Sequence, residues 1–303
     1  MKRLVWFVMA AVLVSGAAQA AKVAAALEGS RVVVTVDGAL FTAYTFAGTQ
    51  KYPYFFPVNG PLSGESVTTE TSEPYPHHHS LFFGCDKVNG GNYWQEANEA
   101  GQIVSQGPVI AEPEGDRVVI HDRCLWRKPG REPVMRDERE IIITAPEAGL
   151  RVVDFAITLI PLVDVVIEKT NHSLFSARMV PELAVAAGGT LVNAEGGMGE
   201  KGTFGVASPW CDYFGVRDGV VEGLAILTHP ANPWHPAPWF TRDYGFFSPT
   251  PMFWPADGKA TLLAREKPVR LCYRVVVHGG DTKTADISGI YEKYKTTGIV
   301  SSK

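Results

Sequence analysis

The sequence predicts an all-β fold, a large antiparallel β-sandwich with few short helices, and three observations carry that prediction. Short runs of β-branched and aromatic residues recur along nearly the whole chain. Thirty glycines and 21 prolines punctuate them too often for long helices. Only 284–295 offers a helix, with Ile287, Ile290, Tyr291 and Tyr294 at compatible spacing.

Taken in order, the first strand is read at 31–37 on its valine run, followed by 39–46. The Leu-Phe-Phe run marks 79–83, and mixed apolar and polar residues mark 102–110 and 117–126. Three consecutive isoleucines place a strand at 136–144; further strands are read at 150–159 and 163–169. Later ones fall at 180–185, 221–228 and 269–278, each bounded by Gly, Pro, Asn or Asp. Many strands with so little helix between them leave two packed sheets or a closed barrel as the stable solutions, with a β-helix as the alternative architecture. Two regions, 52–94 and 210–254, break the pattern and are too rich in unusual side chains to be mere turns, so chemistry is sought there.

The 303 residues are 46% hydrophobic and 20% charged, enough apolar material for a large core and too little charge for a disordered chain. The net charge of -4 gives no basic excess to draw nucleic-acid phosphates. Lys2 and Arg3 precede an apolar run at 4–14, and Ala18-Gln19-Ala20 supplies small residues for cleavage. Residues 1–20 therefore read as a secretory signal peptide cut near Ala20, leaving 21–303 as one exported domain, secreted or periplasmic. The apolar run is too short to span a bilayer, and no later segment is long enough, so no membrane span is expected in the mature chain. Cys85, Cys124, Cys211 and Cys272 could form one or two disulfides or serve as small buried hydrophobes; none has the spacing of a zinc knuckle.

In the first unusual region His77, His78 and His79 follow Tyr75 and Pro76. Three neighbouring imidazoles are costly to protonate together, which suits them to act as neutral bases, ligands or positioning groups. The second region holds Trp210, Asp212, His229, Asn232, Trp239, Arg242 and Tyr244. Aromatic faces beside a guanidinium, an amide and carboxylates are a mixture that binds sugars, because rings stack on apolar sugar faces while polar groups select hydroxyls. The same aromatic residues are equally at home in a sandwich core. Glu182, Glu195 and Asp212 are candidate acid-base carboxylates. No phosphate-cradling loop, dinucleotide fingerprint or nucleophile elbow is present.

Tyr54 to Val58, Pro76 to Leu81, Val88-Asn89-Gly90, Asn193 to Gly196, Trp210 to Tyr213 and His229 to Pro233, with Trp239 and Arg242 to Gly245, form an ordered set. As a set they resemble the PmoA-like family of secreted bacterial proteins. The family's label borrows from a methane oxygenase subunit, an activity that needs several spanning helices and is discarded for this chain. The resemblance implies a galactose-mutarotase-like supersandwich, a fold shared by aldose epimerases, glycoside hydrolases and polysaccharide lyases. The family's paired histidines fall on His77 and His78, Tyr75 replaces a preceding histidine, and His79 is a secondary candidate.

These readings combine into an exported carbohydrate-active enzyme that cleaves a glycosidic bond by hydrolysis or elimination. His77, His78 and His229 would handle protons or hold a divalent metal ion. Arg242 and Tyr244 complete the catalytic set, with Asn232, Trp239, Asp212, Trp210, Glu195 and His79 contacting a carbohydrate substrate. The alternatives are an aldose mutarotase or epimerase and a noncatalytic carbohydrate-binding or cell-surface module. The sequence leaves oligomeric state open.

Overall fold

The computed structural model describes residues 21–95, 97–255 and 257–297, so the leader read at 1–20 lies outside the described residues. The fold is a two-sheet antiparallel sandwich with few short helices. Across the first sheet run Trp239–Arg242, Phe246–Pro249, Ser173–Arg178, Leu81–Val88, Tyr54–Val58, Ala39–Thr45, Arg31–Val36 and Val23–Glu28. Across the second run Thr190–Asn193, Trp210–Arg217, Val220–Thr228, Val269–Gly279, Leu150–Pro161, Met135–Thr144, Arg117–Arg127 and Gln102–Ser105.

The strands read at 117–126, 136–144, 150–159, 221–228 and 269–278 are present to within two residues, all in the second sheet. The one read at 102–110 is broken at Gly107, whose φ of +99° suits glycine, and its halves Gln102–Ser105 and Val109–Glu112 both pair with Arg117–Arg127. No strand forms at 180–185. Pro181 opens a 3-10 turn at Pro181–Leu183, while the strand lies earlier, at Ser173–Arg178. The two regions read as irregular also contribute Tyr54–Val58, most of Leu81–Val88, Trp210–Arg217, Trp239–Arg242 and Phe246–Pro249. Trp210–Arg217 pairs with the neighbouring Val220–Thr228, and Trp239–Arg242 with Phe246–Pro249, as local hairpins, whereas Leu81–Val88 and Phe246–Pro249 also pair with the distant Ser173–Arg178, which local pattern could not show.

Strand alternation builds the core and, on its reverse side, the site. Phe83 turns inward, its ring 6.1 Å from Phe155 and 6.5 Å from Tyr273 of the opposite sheet. Phe175 on the neighbouring strand meets the same pair at 4.8 and 5.1 Å. Phe82, one residue from Phe83, points the other way and stacks on Tyr52 at 4.7 Å and against Trp94 at 4.8 Å. Phe246 and Phe247 divide likewise, Phe247 meeting Trp239 and Phe246 meeting His78.

A polar knot interrupts the apolar core. Arg139 Nε donates to Asp137 Oδ1 at 2.8 Å, Trp126 Nε1 donates to Asp137 Oδ2 at 2.7 Å, and Tyr44 donates to Asp122 at 2.8 Å. The helix Ile287–Thr297 starts a little later than 284–295 because Asp286 accepts the Gly289 N–H and caps it. It lays Ile287, Tyr291 and Tyr294 on Trp210, Leu227 and Val276, covering the outer face of the second sheet. All four cysteines are free and buried, as small hydrophobes. Among the described residues no helix is long and apolar enough to cross a membrane.

Candidate functional site

The site lies on the face of the first sheet that looks away from the second, across three adjoining strands. Ser173–Arg178 runs between Leu81–Val88 and Phe246–Pro249. The Asp86 N–H donates to the His172 carbonyl at 3.0 Å, so His172 stands opposite Asp86 just before that strand. At the other end the Arg178 N–H donates to the Ser80 carbonyl at 2.7 Å, and Arg178 pairs with Phe246. The turns around 72–80 fold back over this face and deliver Tyr75, His77 and His78, with the His78 N–H donating to the Tyr75 carbonyl at 3.1 Å.

These rings form a row. His172 lies 6.0 Å from His77, and His77 lies 4.5 Å edge-on from His78. His78 stacks on Phe246 at 4.4 Å and on Tyr75 at 5.2 Å; Tyr75 stacks on Tyr244 at 4.9 Å. The Arg178 guanidinium sits 4.4 Å from the Tyr244 ring centre. At the His172 end an open hollow of about 470 Å³ is bounded by His172, Asp86, Asn171, Asn92, Gln95 and Glu168 among others. Asp86 Oδ2 is 3.0 Å from His172 Nδ1, and Thr170 donates its hydroxyl to Asp86 Oδ1. A carboxylate facing Nδ1 favours a proton on that nitrogen, so in the neutral ring the lone pair lies on Nε2. An unusual number of buried polar atoms here lack a protein partner, namely His78 Nδ1, His79 Nδ1, Trp94 Nε1, Arg178 Nε and Arg178 Nη1.

Burial pushes His77 down to about 4, helped by the neighbouring His172 and His79, so the ring is neutral near pH 7. Burial lowers His78 further, to about 2, with the charges of His77, Arg178 and His172 adding to the effect. Burial and then Tyr75 push the Tyr244 phenol up to about 12, which keeps its proton available. The His78 shift has a consequence for stability. Folded His78 stays neutral down to about pH 2, whereas the unfolded imidazole binds a proton below its ordinary 6.5. The unfolded state therefore gains protons first, and stability falls with pH below about 6.5, by about 2 kcal/mol at pH 5. His78→Phe keeps a ring on Phe246 and removes that loss. Thermal melts are expected to show a larger gain over wild type at pH 5 than at pH 7.5; an equal offset at both would mean that folded His78 does take a proton.

The structure gathers His77, His78 and Tyr244, and places His79 beside them against Tyr52 and Tyr54. Arg242 borders the group through Phe240, which meets Phe246, but its charge is already held by Glu200 at 2.7 Å between the rings of Phe240 and Phe204. His229 does not join them. Its ring packs edge-on against Tyr294 at 5.2 Å beside Arg274, on the side of the second sheet that carries the C-terminal helix. Asn232 is the reason, since its side chain donates to the Cys272 carbonyl at 3.0 Å and accepts the Cys272 N–H at 2.8 Å, clamping that loop to the second sheet. The metal set His77, His78 and His229 is thus not assembled. Among the described residues no group of three or more His, Cys, Asp or Glu could hold a metal ion.

The remaining substrate contacts read from sequence are corrected on burial. Trp239 is wholly buried, with its indole N–H on the Ser208 carbonyl at 2.8 Å, so it offers no face to a sugar. Trp210 is packed under the helix. Asp212 is wholly buried between His278 Nε2 at 2.9 Å and the Thr282 hydroxyl at 2.6 Å, where it ties the helix approach to the sheet. Burial works most strongly against the His278 charge, but Asp212 together with the backbone at Gly279 and Gly280 raises that imidazole above its usual value. Glu195 sits on an exposed turn after Thr190–Asn193, away from the row, and Glu182 is exposed in its 3-10 turn.

His172, Asp86 and Arg178 were missed by the sequence reading. Arg178 had a visible signal, a lone cation closing the apolar run Ser173–Arg178. His172 had none, being one histidine in a polar turn.

A model of the family described as one of unknown function (DUF6807) matches residues 31–292, and the chain belongs to that family. That match does not name the PmoA-like resemblance. Among solved structures the chain is similar to a galactose 1-epimerase from Lactobacillus acidophilus NCFM, at 8% identity and a TM-score of 0.42, covering 86% of this chain and 98% of that one. It is also similar to a polysaccharide lyase, at 13% identity and a TM-score of 0.28, covering 91% of this chain and 35% of the lyase. No curated protein matches the sequence.

Proposed function

We propose that this member of the DUF6807 family is an exported carbohydrate-active enzyme that cleaves a glycosidic bond by proton transfer within the row from His172 to Tyr244. The observation that carries the reading is the His172–Asp86 pair, at 3.0 Å, on the rim of an open hollow of about 470 Å³. Asp86 holds the ring with Nε2 as a base, the arrangement a general base needs. His77, neutral and next in the row, positions a hydroxyl or relays its proton. Tyr244, its phenol kept protonated at the far end of the row, can donate a hydrogen bond to an oxygen of the bound saccharide. Tyr75 and Tyr244 are half-buried, so their exposed parts suit contact with a saccharide. Export is supported by the leader pattern at 1–20.

The test is to incubate the purified mature protein with glycosides, uronides and keto-sugars and to weigh the products. Added water identifies hydrolysis, and an unsaturated product identifies elimination. Anomeric exchange without a change of mass supports the epimerase alternative. Saccharide binding with no product on any of these substrates would overturn the enzymatic reading in favour of a binding module.

A further inference from the structure

Arg178 is 3% exposed, yet among the described residues no carboxylate pairs with it. Its Nε and Nη1 have no partner, and Nη2 reaches the Ser72 hydroxyl only at 3.5 Å, the outer limit of a hydrogen bond. The groups that bear on its charge are the phenols of Tyr244, Tyr213 and Tyr75, not a carboxylate. The other arginines drawn into the structure are treated differently. Arg139 holds Asp137, Arg274 holds Asp154 through two bonds, Arg242 holds Glu200 and Arg217 holds Glu65. A guanidinium taken out of water without a counter-charge costs several kcal/mol. Among the described residues only Arg139 is buried as deeply, and the fold gives it a carboxylate; by leaving Arg178 open at the end of the candidate site, it has kept that charge for a ligand.

We infer that Arg178 receives a carboxylate of the bound saccharide, so that the substrate class is a uronate-bearing glycoside or oligosaccharide; the inference rests on the saccharide reading of this site. The shape of the surroundings favours a carboxylate over a sulfate ester. The guanidinium lies 4.4 Å from the Tyr244 ring centre, and Tyr244, Tyr75, His78 and Phe246 meet one another at interplanar angles of 18° to 27°, a set of near-parallel planes that suits a flat group better than a tetrahedral one. A planar carboxylate also matches the planar donors of arginine. The cover over Arg178 is Tyr244 and the turns around 72–78, which carry no regular strand, and it is these that must shift to admit the group. Arg178 closes the strand that begins one residue after His172, placing the two about 20 Å apart along the backbone. The row therefore has room for more than one sugar unit.

The test is calorimetric binding of digalacturonate, its methyl ester and galactose 6-sulfate to the wild type, Arg178→Gln and Arg178→Lys. The wild type is expected to bind the acid on the order of 10- to 100-fold more tightly than the ester. Arg178→Gln should lose that preference and Arg178→Lys keep part of it. The thermal midpoint of Arg178→Gln should equal or exceed that of the wild type, because no partner is orphaned, whereas an arginine that only supports the fold would lower it. Equal affinity for acid and ester, or a preference that survives in Arg178→Gln, overturns the inference, as does tighter binding of the sulfate ester than of the uronate. Arg178-dependent uronate binding without product removes only the enzymatic reading. Turnover of neutral glycosides without acid-over-ester discrimination removes only this one.

Discussion

His172→Ala is expected to lower kcat on whatever glycoside the intact protein processes by a factor on the order of 10² to 10⁴, the range a positioned general base contributes. The basis is local. Asp86 accepts from Nδ1, the Thr170 hydroxyl saturates its second oxygen, and the His172 N–H donates to Thr170 Oγ1 at 3.0 Å, so ring and backbone are both held. Asp86→Asn preserves the shape but can turn an amide N–H toward Nδ1, reversing the tautomer and removing the lone pair from Nε2. It should cost on the order of 10²-fold or more in kcat with KM little changed. Because the two residues act as one unit, the double variant should be no slower than His172→Ala alone. Steady-state kinetics of the three variants check this. A double variant whose losses multiply would separate the residues, and an unchanged kcat for His172→Ala would remove the base from this position.

Asp137→Ala should be the most damaging single substitution away from the site. Both partners of the Arg139–Asp137 pair are almost completely buried, and Asp137 also takes the Trp126 indole N–H. Removing the carboxylate strands a buried guanidinium and an indole donor together, a change that costs about 3–5 kcal/mol. For a chain of this length that lowers the thermal midpoint by roughly 5–8 °C. Replacing the pair together, Asp137→Leu with Arg139→Met, should recover most of the loss, since an apolar pair of similar volume carries no desolvation penalty. Melting curves for both variants decide the matter. A drop for the double variant as large as for Asp137→Ala would mean that the cost lies in packing and not in the orphaned charge.

What could be read along the chain and what could not divides on the distance between interacting residues. Valine and isoleucine runs such as Arg31–Val36 and Met135–Thr144 show their strands because side-chain alternation is a property of a few consecutive residues. His77, His78 and Tyr244 stood out because they sit in clusters of unusual side chains. His229, Asn232 and Trp239 stood out for the same reason and belong elsewhere, because an aromatic-rich segment has the same composition whether it lines a cleft or fills a core. His172 and Arg178 become visible only once Asp86 and Tyr244 are beside them, 86 and 66 positions away along the chain.

By itself, then, the sequence determined an antiparallel β architecture and a helix near 284–295, and singled out the histidine-bearing segment at 77–79. Tertiary structure alone decided which histidine has a carboxylate behind it, which arginine is left without one, and on which side of the sandwich each lies. The physical reason is that backbone alternation is set by neighbours, whereas the charge and burial of a side chain are set by whatever the sheet pairing brings against it.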